Sequence, residues 1–209
     1  MAKLGLGTGL GSAVQKALRS PYPLQEYSLK FDGHTDYVTI GTALADSFGD
    51  GYSGGLTISM WFMHTGVAGG GVDGDGMLMI ADSGDWTNKP LLLRIESDKI
   101  YVRTMDSSSA SFPYTETNVW RHLTIVCDRP NEVFRMYLDG VLKNDVGPSS
   151  QMAQDLDIAD MTTYIGVYSA VQYAFDGYID EVGIFNRSLV GFGPLLVVKR
   201  FVILNMGLV

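Results

Sequence analysis

Phe175-Asp176-Gly177-Tyr178-Ile179-Asp180-Glu181-Val182-Gly183-Ile184-Phe185-Asn186-Arg187-Ser188-Leu189 is the stretch from which the fold can be read. Aromatic and β-branched residues, from Tyr178 and Ile179 through Val182 to Ile184 and Phe185, alternate with polar ones. That is the pattern of a strand with one buried face. The same pattern recurs upstream. Tyr27–Phe31 alternates cleanly, Asp32-Gly33 makes a turn, and Tyr37–Ile40 follows. In Leu56–Phe62, Leu56, Ile58, Met60 and Phe62 share one face while Thr57, Ser59 and Trp61 share the other. Further strands are predicted at Met77–Ala81, Leu91–Ile95, Lys99–Arg103, Trp120–Cys127, Val133–Leu138 and Thr163–Val167. Asp139-Gly140, between Leu138 and Val141, is a two-residue hairpin turn. Strands this short, with turns this frequent, predict an all-β chain folded as a two-sheet antiparallel sandwich.

The bulk numbers agree. A chain of 209 residues is long enough for one large β domain with a real core. Hydrophobic residues are 46% and charged residues 18%, which is a globular composition. The net charge of −8 repels phosphate backbones, so nucleic acid is not an expected partner, whereas a neutral glycan or a protein is compatible with it. With Cys127 the single cysteine, no internal disulfide exists and packing alone must hold the fold. Cys127 lies in the apolar run Leu123–Cys127 and reads as a small buried hydrophobe. No apolar run approaches the ~20 residues that span a membrane.

Three regions are expected: an arm over 1–24, a sandwich over 25–189 and an extension over 190–209. The arm opens Gly-Leu-rich, too glycine-rich for the apolar region of a secretory signal. It passes into a possible short helix from Ser12 to Arg19 and ends at Pro21-Tyr22-Pro23. Such an arm buries little surface by itself, so a neighbour is expected to hold it. In the extension, Leu195–Leu204 is apolar at eight of ten positions. It reads either as an extra buried strand or as a surface that another subunit covers.

Four segments in order resemble the laminin-G-like, concanavalin A-like lectin/glucanase superfamily. Tyr27–Val38 is similar to an opening L-x-F-D-G-x-x-D-Y-V, and Leu56–Phe62 to F-T-I-S-x-W-F. Trp120–Val126 with Met136–Gly140 is similar to W-H-H-L-x-x-V followed by Y-L-D-G, and Phe175–Leu189 to the closing F-x-G-x-I-D-E-V-x-I-F-N-R-x-L. The resemblance implies a jelly-roll sandwich and binding rather than chemistry, without fixing the ligand. It also implies a calcium ion at the sandwich rim, with Asp32 and Asp180 as oxygen donors. The plainer expectation for Asp180 is that it accepts backbone N–H bonds and pins a turn. Asp73 and Asp75, in Gly69–Gly76, are a second pair of donors, too few for a cage and expected on an exposed tip.

Catalytic patterns are weak. Asp155, Asp157 and Asp160 are arranged like the E-x-D-x-x-E of the related glucanases, but their outer carboxylates are one methylene short, and a polar loop is the expected reading. Gly51-Tyr52-Ser53-Gly54-Gly55 matches G-x-S-x-G, yet a strand follows where a nucleophile elbow needs a helix. His34, His64 and His122 are far apart, and His122 reads as structural. Asn186-Arg187-Ser188 is a glycosylation sequon. Trp86, flanked by Asp85 and Asn88, is the expected glycan or surface contact; Trp61, Tyr168, Tyr173 and Phe175 are further aromatics of a kind that stacks sugars, with packing in the core or on a sheet the plainer expectation for most of them.

The chain further resembles free-standing laminin-G-like proteins of tailed bacteriophages. That resemblance implies a non-enzymatic virion protein, on capsid or tail. Residues 1–24 and 190–209 would dock on other virion proteins, and the sandwich would face outward toward protein or host-surface glycan. A stand-alone carbohydrate-binding module and a glycoside hydrolase are the alternatives.

Overall fold

Leu56–His64 forms the middle of the structure, a computed structural model that describes residues 28–42, 44, 48, 53–66, 75–81, 91–104, 108–147, 161–168 and 173–189. The expected arm, the C-terminal extension, Asp73, Trp86 with Asp85 and Asn88, and Asp155, Asp157 and Asp160 lie outside the described residues. In chain order the strands are β1 (Leu29–Asp32), β2 (Val38–Gly41), β3 (Leu56–His64), β4 (Asp75–Ala81), β5 (Leu91–Glu96), β6 (Lys99–Thr104) and β7 (Ser109–Pro113). They continue with β8 (Arg121–Asp128), β9 (Val133–Leu138), β10 (Val141–Val146), β11 (Thr162–Ile165), β12 (Val167–Tyr168), β13 (Tyr173–Ala174) and β14 (Asp176–Phe185).

The strands make two sheets. A six-stranded sheet has the order β1-β14-β3-β8-β9-β10. An eight-stranded sheet runs β12-β13-β4-β5-β6-β7, with β11 pairing β4 and β2. All pairings are antiparallel except one parallel contact between β13 and β4. The predicted sandwich is therefore observed. Its core is the set of inward residues that the alternation picks out: Ile58, Met60, Phe62, Leu123, Ile125, Phe134 and Met136 from one sheet meet Leu78, Ile80, Leu91, Leu93, Ile100 and Val102 from the other. Cys127 is fully buried in it, and burial pushes its thiol well above the ordinary thiol range.

Local chemistry explains the turns and edges. Asp139 and Gly140 both have positive φ, 52° and 75°, the type I′ geometry of a two-residue hairpin, so the β9–β10 turn is the predicted one. The edge strand β10 is bulged between Leu142 and Asn144 and carries Lys143, features that blunt edge pairing. Asn144 Nδ2 donates to the Ser111 carbonyl at 2.8 Å and ties this edge to β7 of the other sheet. The run expected at Thr163–Val167 is broken at Gly166 (φ 84°) into β11 and β12. The short strands β7 and β13 are not visible in the sequence pattern, because serine-rich or two-residue segments carry too little periodicity.

The closing stretch departs from simple alternation. β14 keeps Ile179 inward and fully buried, but a bulge between Asp180 and Gly183 inserts one residue against Trp61–Ser59, with Glu181 at φ 48°. The inward positions therefore shift from Ile179 to Val182 and Ile184, which both pack on the core. Beyond β14, the Thr57 hydroxyl donates to the Arg187 carbonyl at 2.8 Å and accepts the Leu189 N–H at 2.9 Å, pinning the end of the motif to β3.

Candidate functional site

The outward residues of the six-stranded sheet form aligned rows. Lys30 pairs with Tyr178, and Tyr178 with Met63; Trp120, one residue before β8, lies with its ring 6.3 Å from that of Tyr178. In the next row Asp180 pairs with Trp61 and Trp61 with His122, their rings 5.0 Å apart. In the third, Gly183, Ser59, Thr124 and Tyr137 are neighbours. Tyr178, Trp120, His122 and Tyr137 are half-buried, whereas Trp61 is buried at 7% exposure, so it supports the platform from within. Rows of this kind combine flat apolar rings with hydroxyl, imidazole and carboxylate groups.

The polar members are held in place. Ser59 Oγ is 2.8 Å from His122 Nε2, and burial lowers the His122 pKa, which keeps the ring neutral at pH 7. The His122 N–H donates to Asp139 Oδ1 at 2.9 Å. Arg121 clasps both carboxylates of Glu116 and Asp139, at 2.6–2.8 Å, and its pKa is raised by the Glu116 hydrogen bonds. His122 is thus a structural residue that also fixes one border of the platform. Asp180 is half-buried, and desolvation raises its pKa to about 6 although the Glu181 N–H donates to its Oδ1.

The two carboxylates named as calcium donors do not form one site. Asp32 pairs with Asp176, four residues along β14 from Asp180, a span of about 13 Å at strand rise. Asp32 Oδ1 accepts N–H bonds from His34, Thr35 and Asp36, and its Oδ2 accepts the Thr35 hydroxyl. Those bonds hold its carboxyl far below the ordinary carboxylate range. Asp180 accepts a backbone N–H, as the plainer expectation had it. Asp32 and Asp180 therefore do not share one calcium ion, and among the described residues no three or more His, Cys, Asp or Glu side chains gather as a metal-binding group.

Asp75 is a correction. It does not sit on an exposed tip; it begins β4, is 5% exposed, and meets the buried His64 of β3. Phe175 is, in line with the plainer expectation, a fully buried core ring, edge-on to Phe31 at 6.2 Å. Tyr168 and Tyr173 do come together, stacked at 5.3 Å on the other sheet. Trp120, Tyr178 and Tyr137 were not singled out from sequence. The signal was present in their parity with Trp61, but it needs the strand register to be read.

Residues 32–191 match the family model described as the concanavalin A-like lectin/glucanases superfamily, laminin G type. The chain belongs to this superfamily. No curated protein matches it by sequence. Solved structures show the concanavalin A-like fold in the same arrangement. The CBM40 of the Ruminococcus gnavus IT-sialidase, bound to alpha2,3 sialyllactose, is 13% identical at a TM-score of 0.60, over 79% of this chain and 92% of that one. The NanB sialidase of Streptococcus pneumoniae is 19% identical at 0.59, over 78% of this chain. The present chain spans only 26% of NanB. The heptameric SAP-like pentraxin of Limulus polyphemus is 14% identical at 0.56, over 78% and 76% of the two chains. This concanavalin A-like sandwich is thus shared with carbohydrate-binding modules and with a pentraxin. At these identities the likeness is one of fold.

Proposed function

We propose that the chain is a non-catalytic recognition module that binds glycan on the outer face of its six-stranded sheet, displayed on the virion of a tailed phage. The observation that carries the glycan reading is the pair of rows Tyr178–Met63–Trp120 and Asp180–Trp61–His122. A sugar ring would lie on the Trp120 and Tyr178 faces while Asp180 takes its hydroxyls. The fold shared with a sialidase carbohydrate-binding module, over 79% of this chain, supports the same reading. Binding of neutral oligosaccharides on an array, followed by titration of the wild type and of Trp120→Ala, tests it. The variant is expected to lose binding while keeping its fold; unchanged binding would remove this face as the site.

The virion setting is supported by the sequence resemblance and by the Gly-Leu-rich start and apolar end of the chain. Gradient sedimentation of native material, with the chain tracked by mass spectrometry, tests it. Migration with particles at fixed stoichiometry is expected; migration as a free 22.8 kDa species would overturn it. Incorporation of a chain lacking residues 1–24 would in turn overturn the anchoring role of the arm.

A further inference from the structure

Once it has left β14, the chain crosses the outer face of the six-stranded sheet. Thr57 Oγ1, near the start of β3, donates to the Arg187 carbonyl and accepts the Leu189 N–H. Between them Ser188 lies on Gly55, where a Cβ would run into the Ser188 backbone. Thr57 has the parity of Ser59 and Trp61, while Leu56, Ile58 and Met60 point into the core. The crossing is therefore on the outward side. Leu189, the last described residue, is held against that face.

The same end of the sheet hides apolar side chains that do not belong to the core. Val126 of β8 pairs with Thr57 on one side and with Arg135 on the other. Its neighbours Ile125 and Cys127 point into the core, so Val126 points outward, yet it is only 1% exposed. Val133, at the start of β9, has the outward parity of Arg135 and is 6% exposed. Further along the same strands the outward Thr124, His122 and Tyr137 are half-buried. Outward valines are thus covered at the end where the chain comes over β3 from β14, and Leu189 begins that cover.

The chain beyond Leu189 supplies a matching segment. Leu195–Leu204 is apolar at eight of ten positions, and only Val190–Pro194 separates it from Leu189. That link reaches up to roughly 20 Å when extended. From Thr57 to Val126 is one strand spacing, about 5 Å, and to Arg135 two, about 10 Å. A tether this short gives an effective concentration in the millimolar range, so the chain's own segment outcompetes a separate molecule for this face. We propose that Leu195–Leu204 docks on the outer face of its own six-stranded sheet, over Thr57, Val126 and Val133, and forms a wall at that end. Trp61 lies about 13 Å along β3 from Thr57, so the rows of Trp61 and Tyr178 stay open beside the wall. The inference depends neither on the glycan reading nor on the virion reading, and it leaves residues 1–24 as the anchoring arm.

The test uses the full chain carrying Val126→Cys. Cys127, inward and fully buried, is the internal control. Labelling by a charged, water-soluble maleimide is followed at both positions by mass spectrometry. The thiol at position 126 is expected to label as slowly as Cys127, at a rate independent of protein concentration. Adding Val198→Glu with Val202→Glu is expected to speed labelling at position 126 by roughly tenfold or more while Cys127 stays protected. Where the two glutamates open the sheet and both thiols react, the milder pair Val198→Thr with Val202→Thr is read by the ratio of the two rates, which is expected to rise about threefold or more. A ratio unchanged by the deciding pair would overturn the proposal, and so would fast labelling at position 126 with the segment intact. Protection that grows with protein concentration would assign the cover to a second copy and overturn it too. Uncovering by Leu6→Glu with Leu10→Glu, but not by the segment's own variants, would assign the cover to the N-terminal arm instead.

Discussion

His64 Nε2 lies 2.7 Å from Asp75 Oδ2, and the two residues belong to opposite sheets of the sandwich. Both are buried, at 7% and 5% exposure, and the imidazole packs 5.9 Å from the Phe175 ring. This polar contact crosses an otherwise apolar core near the end where β3 finishes and β4 begins. Removing one partner leaves the other buried and unsatisfied. His64→Ala and Asp75→Ala are each expected to cost about 3–5 kcal/mol, measured by urea unfolding. The double replacement by leucine is expected to recover much of that loss. Full additivity of the single losses in the double alanine variant would show that the contact contributes nothing.

Asp180 sets a pH dependence. Its folded pKa of about 6 exceeds the ordinary 3.8, so the folded state binds its proton more tightly than the unfolded state does. Its contribution to stability is full below pH 3.8 and is lost as pH rises through 6. Asp180→Asn is therefore expected to stabilise the protein at pH 8 by about 1–2 kcal/mol, after allowance for solvent screening of a half-exposed group. At pH 4 it is expected to be nearly neutral. Unfolding curves at the two pH values decide this; an equal effect at both would assign the change to packing instead.

Asp32 acts in the opposite sense. Its depressed pKa means that the turn contacts are present above pH 3.8 and fade as pH falls below it. Asp32→Ala is expected to lower the melting temperature at pH 7, and Asp32→Asn, which keeps an acceptor at Oδ1, to lower it less. The difference is expected to persist in chelator. Its disappearance on calcium removal would reinstate Asp32 as a calcium donor.

Asp139 makes two side-chain contacts from one turn. It stands at φ 52°, accepts the His122 N–H at 2.9 Å and accepts Arg121 at 2.8 Å. Asp139→Ala removes both hydrogen bonds and places a side chain poorly suited to positive φ at that position. A loss of about 2–3 kcal/mol is expected. Asp139→Asn is expected to lose less, since it tolerates the backbone angle and keeps the acceptor. Chemical denaturation of the three proteins measures the series.

Much of the fold was legible because a two-residue period states which face of each strand is apolar. Leu56–Phe62 shows it, and its inward set is the one found in the core. Asp139-Gly140 was legible because few dipeptides accept two positive φ angles in succession. The candidate sites were less legible. Trp61 stood out by its parity, yet its neighbours Asp180 and His122 come from strands distant in the chain, and Trp61 itself is buried. The bulge at Glu181 reverses the parity of β14, and no local pattern announces it.

By itself, then, the sequence determined the longer strands, the sandwich and the superfamily, because periodicity and turn chemistry act between near neighbours in the chain. The tertiary structure alone decided that His64 meets Asp75, that Tyr168 closes over Arg94, and that Asp32 and Asp180 stand apart. Those outcomes depend on strand order, register and one inserted residue. They are set by the packing of whole sheets, and packing energy is summed over contacts that no short window of sequence contains.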